Sequence, residues 1–182
     1  MIDRWPHPAC LDDEALLKHC QVQRGRAGGP GGQHRNKVET LVMLTHTPTG
    51  VEAHAGERRS QIENKRVAVF RLRLALATQV RVRPPRLRGL EAIDAPGTSA
   101  LWRARTGGGG GGRIACNPEH ADFPSMLAEA MDVLADALWD AAPAARRLGT
   151  TASQLTRLVK DHPPAFVRVN EERLKRGIHP LR

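Results

Sequence analysis

The residues best suited to chemistry lie in one glycine-rich stretch, Gly28 to Lys37, in which four glycines and Pro30 precede Gln33. Glycine tolerates positive φ and lets the main chain approach another surface closely, whereas proline restricts the chain. The stretch therefore predicts a narrow loop that presents bare backbone N–H groups and one amide side chain. Such a tip could enter a crowded pocket that a bulkier loop could not.

Two other interpretations of this stretch start from the same residues. Clusters of glycine and proline are common in turns that carry no chemistry. A phosphate-binding loop would need a Ser or Thr after its lysine, and Lys37 is followed by Val38. The phosphate-loop interpretation is therefore the weaker of the two.

The Gly31-Gly32-Gln33 sequence resembles the motif of the class I peptide chain release factors, and the resemblance covers roughly residues 20–80. The matching positions outside the motif are His34, Asn36-Lys37, Glu39-Thr40, Leu44 to His46, Pro48 to Gly50, Glu57 to Gln61 and Asn64-Lys65. The resemblance implies hydrolysis, on the ribosome, of the ester that joins a nascent peptide to tRNA.

The resemblance also implies roles for the motif residues. The backbone amide of Gln33 would stabilise the oxyanion, as backbone N–H donors do in other ester hydrolyses. The Gln33 side chain would admit water and exclude other nucleophiles, and Gly31 and Gly32 would permit the close fit. Ribosomal RNA and peptidyl-tRNA would form the rest of the site, so His34 is expected to be a polar or RNA-facing residue and not a general base. Whether Gln33 is methylated, with a glutamine methyltransferase as a further partner, stays open.

The distribution of charge favours an RNA partner. The formal net charge is +9, and residues 24–88 hold 14 of the 28 Lys and Arg but only 4 of the 19 acidic residues. The residues predicted to bind RNA are Arg35, Lys37, Arg58, Arg59, Gln61 and Lys65. Of these, Arg59, Gln61 and Lys65 match the family pattern. The alternative for the helix cations is an ordinary solvated face.

The remaining composition argues against several other classes of protein. The three cysteines show no C-x-x-C spacing, which fits a reducing compartment and gives no metal site. No apolar stretch approaches the length of a transmembrane helix. We therefore expect a cytoplasmic monomer that needs no cofactor and has no membrane partner.

Residues 1–82 are predicted to form an α+β catalytic domain. A short helix at 12–19 and a strand at 20–23 precede the loop, and strands at 41–46 and 51–55 form a hairpin. A helix over 59–79 begins with a capping box at Ser60. Its face of Ile62, Val69, Leu72 and Leu76 should cover a small sheet.

The rest of the chain is predicted to be a connector and a helical unit. Residues 83–118 include a run of six glycines and form either a linker or a hairpin whose strands would be 101–105 and 113–117. Residues 119–182 form a helical bundle, beginning with a helix that turns Leu127, Met131, Leu134 and Leu138 inward. Residues 144–155 are a candidate helix-turn-helix. Asp132, Asp136 and Asp140 argue against a unit that faces nucleic acid everywhere.

Three functional hypotheses follow. The first is codon-independent peptide release in ribosome rescue, because the chain has no counterpart of the domains with which the decoding members of the family read stop codons. The second is a non-catalytic factor that binds the ribosome or RNA through the same domain. The third, a helix-turn-helix DNA binder, ranks last because the positive charge lies mainly in the other half.

Overall fold

The computed structural model describes residues 7–26, 39–82, 98–107 and 112–182. A 3-10 helix, Pro8–Cys10, precedes α1 (Asp13–Leu17), β1 (Cys20–Gly25), β2 (Leu41–His46) and β3 (Val51–Ala55). Helix α2 (Gln61–Gln79) follows, and then α3 (Ala100–Arg105), α4 (Phe123–Asp136), α5 (Ala141–Arg147), α6 (Ala152–Lys160) and α7 (Pro163–Leu174). The predicted α+β class is confirmed.

The strands form an antiparallel sheet in the order β1-β2-β3. Residues alternate along β2, so that Val42, Leu44 and His46 point into the core. Gly50 adopts a φ of +70° in the turn between β2 and β3, which a glycine accepts without strain. Helix α2 packs on β2 and β3 and leaves β1 as an exposed edge.

Helix α2 begins as the capping box predicts, since the Ser60 hydroxyl accepts a hydrogen bond from the Glu63 amide at 3.4 Å. Val69, Leu72 and Leu76 are buried as predicted. The prediction for Ile62 is wrong, because its side chain is 68% exposed. Asn64, about 200° away around the helix, takes the inward position in this first turn.

Helix α4 is the centre of the helical unit, and every residue from Phe123 to Leu134 is buried. It contacts α2, α5, α6 and the 3-10 helix. The prediction that Leu138 faces inward is wrong. The helix ends at Asp136, and Leu138 lies 69% exposed with a φ of +54°.

Residues 100–105 form a helix, so the alternative that placed a strand at 101–105 is wrong. Ser99 caps this helix, and Trp102 is buried, donating its Nε1–H to the Leu148 carbonyl at 2.8 Å. Burial of a large aromatic side chain whose N–H is satisfied explains why this short helix forms. Residues 108–111 of the glycine run lie outside the described residues.

The sheet, α2 and the helical unit share one cluster of buried apolar side chains. The link is polar as well as apolar. Arg73 donates to the Ala9 carbonyl and to the Ser125 hydroxyl, and Asp132 accepts from the Val82 amide at 3.0 Å. The domain boundaries at residues 82 and 119 stay predictions.

Candidate functional site

The predicted loop begins and ends at one end of the sheet. Gly25, the last residue of β1, pairs with Leu41, the first residue of β2. Just beyond this pair, the Arg26 guanidinium lies 4.0 Å from the Glu39 carboxylate. The two flanks of the loop are therefore held next to each other.

The loop itself lies outside the described residues, which resume at residue 39. The predicted catalytic residues Gly31, Gly32 and Gln33, and the predicted RNA-binding residues Arg35 and Lys37, fall in this part. Their roles stay predictions.

The chain that leaves the loop is fixed to the first turn of α2 by Asn64. This side chain is fully buried, and its amide nitrogen donates to the carbonyls of Thr40 at 2.7 Å and Arg58 at 2.9 Å. Its amide oxygen accepts from the Arg58 backbone N–H at 2.9 Å. One side chain thus ties together the end of the loop, the segment before α2 and the helix itself.

Gln61 reinforces this connection, since its side-chain amide donates to the Glu39 carbonyl at 3.0 Å. The structure gives Gln61 a role in positioning the loop, which the prediction of RNA contact did not include. The positioning role of Asn64 was also missed. Its signal in the sequence was a polar residue on the same helix face as Ala68 and Leu72, at spacings of four residues.

The cations near α2 divide into two groups. In the first group, Arg71 donates to the Glu57 carboxylate at 2.6 Å and to the His54 carbonyl. Arg73 donates to the Ser125 hydroxyl on α4. By contrast, Arg58, Arg59, Lys65 and Arg66 are exposed, and in the described part of the chain none of them forms an ion pair. The exposed group lies in the segment just before α2 and in the first two turns of this helix.

The contact with Arg71 also sets the protonation state of Glu57. The hydrogen bond from Arg71, together with backbone N–H donors, lowers the pKa of Glu57 to about 2. Glu57 therefore stays ionised and paired with Arg71. Among the described residues, no cluster of three or more His, Cys, Asp or Glu side chains could hold a metal ion.

Comparison with known proteins identifies this domain. Residues 15–91, which include the loop, both of its flanks and α2, match the RF-1 domain family. These residues belong to the class I peptide chain release factor family. The family resemblance is thereby confirmed.

Three relatives show the extent of the similarity. The mitochondrial peptide chain release factor 1 of Bos taurus is 40% identical over 75 residues, which are 41% of this chain and 17% of that protein. Peptide chain release factor PrfB1, chloroplastic, of Arabidopsis thaliana is 57% identical over 51 residues, which are 28% of this chain and 11% of that protein. Peptide chain release factor 1 of Symbiobacterium thermophilum is 40% identical over 67 residues, which are 37% of this chain and 19% of that protein.

The chain thus spans less than a fifth of the length of these relatives. Two of the three are named for organelles, so the cytoplasm stays a prediction for this chain. Within the described residues, no helix has the length and apolar character that crossing a bilayer requires.

Proposed function

We propose that this protein hydrolyses the ester bond between a nascent peptide and tRNA on the ribosome. The observation that carries the proposal is the RF-1 domain match over residues 15–91, which encloses Gly31, Gly32 and Gln33. The clamped loop flanks support it, because a catalytic tip must be held to within fractions of an ångström.

In the proposed reaction, water adds to the ester carbonyl carbon, and the bond to the tRNA 3′ oxygen then breaks. The products are a free peptide carboxylate and a tRNA 3′-hydroxyl. The Gln33 backbone N–H donates to the developing oxyanion, an interaction worth about 3–4 kcal/mol where water is excluded. Gly31 and Gly32 let the backbone come that close, and the Gln33 side chain selects water as the nucleophile.

Five cations provide the proposed contacts with RNA: Arg58, Arg59 and Lys65 beside the loop flanks, and Arg35 and Lys37 on the loop. Their charges would neutralise backbone phosphates, which supplies affinity without sequence preference. Gln61 holds the loop flank through Glu39 and contributes to RNA binding from that position. The ribosome and peptidyl-tRNA are the proposed partners.

We further propose that release is independent of the codon and serves the rescue of stalled ribosomes. Helix α2 of the RF-1 domain packs directly against the helical unit. In our proposal this unit, and not a codon-reading domain, selects the ribosomes on which the protein acts. The protein acts as a monomer, and a glutamine methyltransferase that modifies Gln33 is a proposed further partner.

The test is peptide release from ribosome complexes that carry peptidyl-tRNA, with and without a stop codon in the A site. Wild type should release peptide from both kinds of complex. Gly32→Ala and Gln33→Ala should lose at least about a hundredfold in release rate while still binding ribosomes, because small displacements of a catalytic group cost that much. His34→Ala is the matched control in the next position and should retain release.

Two other outcomes would decide against parts of the proposal. Release only in the presence of a stop codon would refute codon independence. No release from any complex, with ribosome binding intact, would favour the non-catalytic RNA-binding factor.

A further inference from the structure

A surface cavity of about 300 Å³ lies between the extended segment 113–116 and helix α6. Two arginines from separate parts of the chain line it, Arg113 from the segment and Arg157 from α6. Ile114 and Leu158 provide apolar lining, and Asp161 follows at the end of the helix. A cavity of this volume is at the small end of the range for ligand sites.

The segment that carries Arg113 is anchored on both sides. The Thr150 hydroxyl donates to the Gly112 carbonyl at 2.7 Å, and the Ile114 amide donates to the Gln154 side chain at 3.3 Å. Gly112 itself is packed so closely that an added Cβ would lie 2.8 Å from the carbonyl oxygens of Thr106 and Gly149. The backbone at Arg113 is therefore held at a fixed position relative to α6.

The charges of the two cavity arginines are not paired with an acid among the described residues. Neither Arg113 nor Arg157 forms an ion pair in the part of the chain that the structure describes. Asp161 is the one acid among the residues that line the cavity, and no ion pair joins it to either arginine in the described part of the chain.

The acids that argued against a nucleic-acid surface are engaged elsewhere. Asp132 binds Arg81 and the Val82 amide, and Asp136 binds Arg147 at 2.6 Å. Asp140 caps α5 by accepting from the Ala142 amide. None of the three lines the cavity.

Helix α6, which lines the cavity, follows α5 with the short connection that a helix-turn-helix has. Helix α5 ends at Arg147, and α6 begins at Ala152 after a turn in which Gly149 adopts a φ of +63°. Ser153, Arg157 and Lys160 lie on one exposed face of α6, at positions i, i+4 and i+7. Arg157 belongs both to this face and to the cavity.

We propose that this cavity and the adjoining face of α6 bind a phosphate group of an RNA strand, with Arg113 and Arg157 as the donors. Two guanidinium groups that approach from different segments can surround a phosphate and donate several charge-assisted hydrogen bonds. The choice of RNA rests on the proposed function, whereas the recognition of phosphate does not.

Binding of a short, labelled single-stranded RNA by the full chain tests the proposal. The background carries Arg58→Gln, Arg59→Gln and Lys65→Gln, so that RNA contacts of the RF-1 domain do not dominate. In this background, Arg113→Gln and Arg157→Gln should each weaken RNA binding by at least about fivefold. The magnitude of the negative slope of log affinity against log salt concentration should fall by about 0.7–1 for each. Arg146→Gln is the matched control, since Arg146 is exposed on α5 but does not line the cavity.

Asp161→Asn gives a change in the opposite direction. Removing this negative charge from the cavity should tighten RNA binding. Unchanged affinity in the Arg113 and Arg157 variants, or an equal loss in the Arg146 control, would overturn the proposal.

Cys116, which also lines the cavity, provides a local readout in the otherwise unaltered chain. RNA should slow alkylation of Cys116 but not of Cys20, which is half-buried at the start of β1. Equal protection by inorganic phosphate at the same concentration would assign the cavity to small phosphate compounds and overturn the RNA proposal, as would protection by neither. Peptide release is measured separately, so loss of release with protection intact would count against the proposed function alone.

Discussion

Asn64 connects the predicted catalytic loop to the rest of the protein, and Asn64→Ala should reveal how much depends on it. The substitution removes three hydrogen bonds, one to the Thr40 carbonyl and two to the backbone of Arg58. Because Asn64 is fully buried, water cannot replace its hydrogen bond to the Thr40 carbonyl unless the structure opens locally.

The expected loss of stability follows from these contacts. A buried carbonyl left without its partner costs about 1–3 kcal/mol. The two bonds to Arg58 are only partly buried, so water replaces them and their net loss is about 1 kcal/mol together. We therefore expect the free energy of unfolding to fall by about 2–4 kcal/mol, roughly 4–16 °C in Tm for a chain of this size.

Urea unfolding of wild type, Asn64→Ala and Ile62→Ala measures the effect. Ile62 lies in the same first turn of α2 but is 68% exposed, so its substitution should change stability by less than about 0.5 kcal/mol. A loss of stability below about 1 kcal/mol in Asn64→Ala, or equal losses in the two variants, would refute the role of Asn64 in fixing the loop flank. In release assays below the transition temperature, Asn64→Ala should also lower the rate more than ribosome binding, because the loop flank is no longer fixed.

Two further predictions concern stability. Burial lowers the pKa of His7 from 6.5 to about 4, and its ring bonds the Val80 carbonyl and the Ala9 amide, so the unfolded chain binds the proton more readily. The difference in the free energy of unfolding between wild type and His7→Gln should therefore shrink by up to about 3 kcal/mol as the pH falls from about 6.5 to about 4. A difference that stays constant with pH in urea unfolding would contradict this. Gly112→Ala should lower the free energy of unfolding by about 1–3 kcal/mol, because the added Cβ meets two carbonyl oxygens. Its control, Gly25→Ala, makes only ordinary contacts and should lower it by less than about 0.5 kcal/mol in the same assay.

Where the sequence carried a local physical signal, it predicted the fold closely. Strands β2 and β3 have the predicted bounds, because β-forming residues flank a turn that ends in Gly50. Helix α2 also ends at its predicted residue, Gln79, and begins after its predicted cap, Ser60. In each case the pattern of a few neighbouring residues determines the element.

The errors arose where long-range contacts override local periodicity. A uniform apolar stripe along α2 places Ile62 inside, but the hydrogen bonds of Asn64 to Thr40 and Arg58 bring a polar residue inward in that turn. Nothing near Leu138 marks the end of α4. Helix α3 owes its place to Trp102, whose partner at Leu148 is 46 residues away and invisible to local patterns.

The same distinction applies to the site. The motif residues Gly31, Gly32 and Gln33 are recognisable because the proposed chemistry needs those residue types in sequence. The supports of the loop are not, because Gln61 and Asn64 act on Glu39 and Thr40, which are 22 and 24 residues away. Their side chains resemble ordinary polar positions until the sheet brings both segments together.

Helix α2 gives the two proposed RNA contacts a common frame. Its first turn holds the loop flank through Asn64, and its second half reaches the helical unit, where Arg73 bonds Ser125. Just beyond the helix, Arg81 pairs with Asp132, a contact that is largely buried. The helix spans about 28 Å, and the apolar core is continuous along it. Because α2 joins the loop flanks to the helical unit, we propose that an RNA strand bound at Arg113 and Arg157 would orient these flanks on the ribosome, so that the helical unit would select the site of action without contacting the reacting ester.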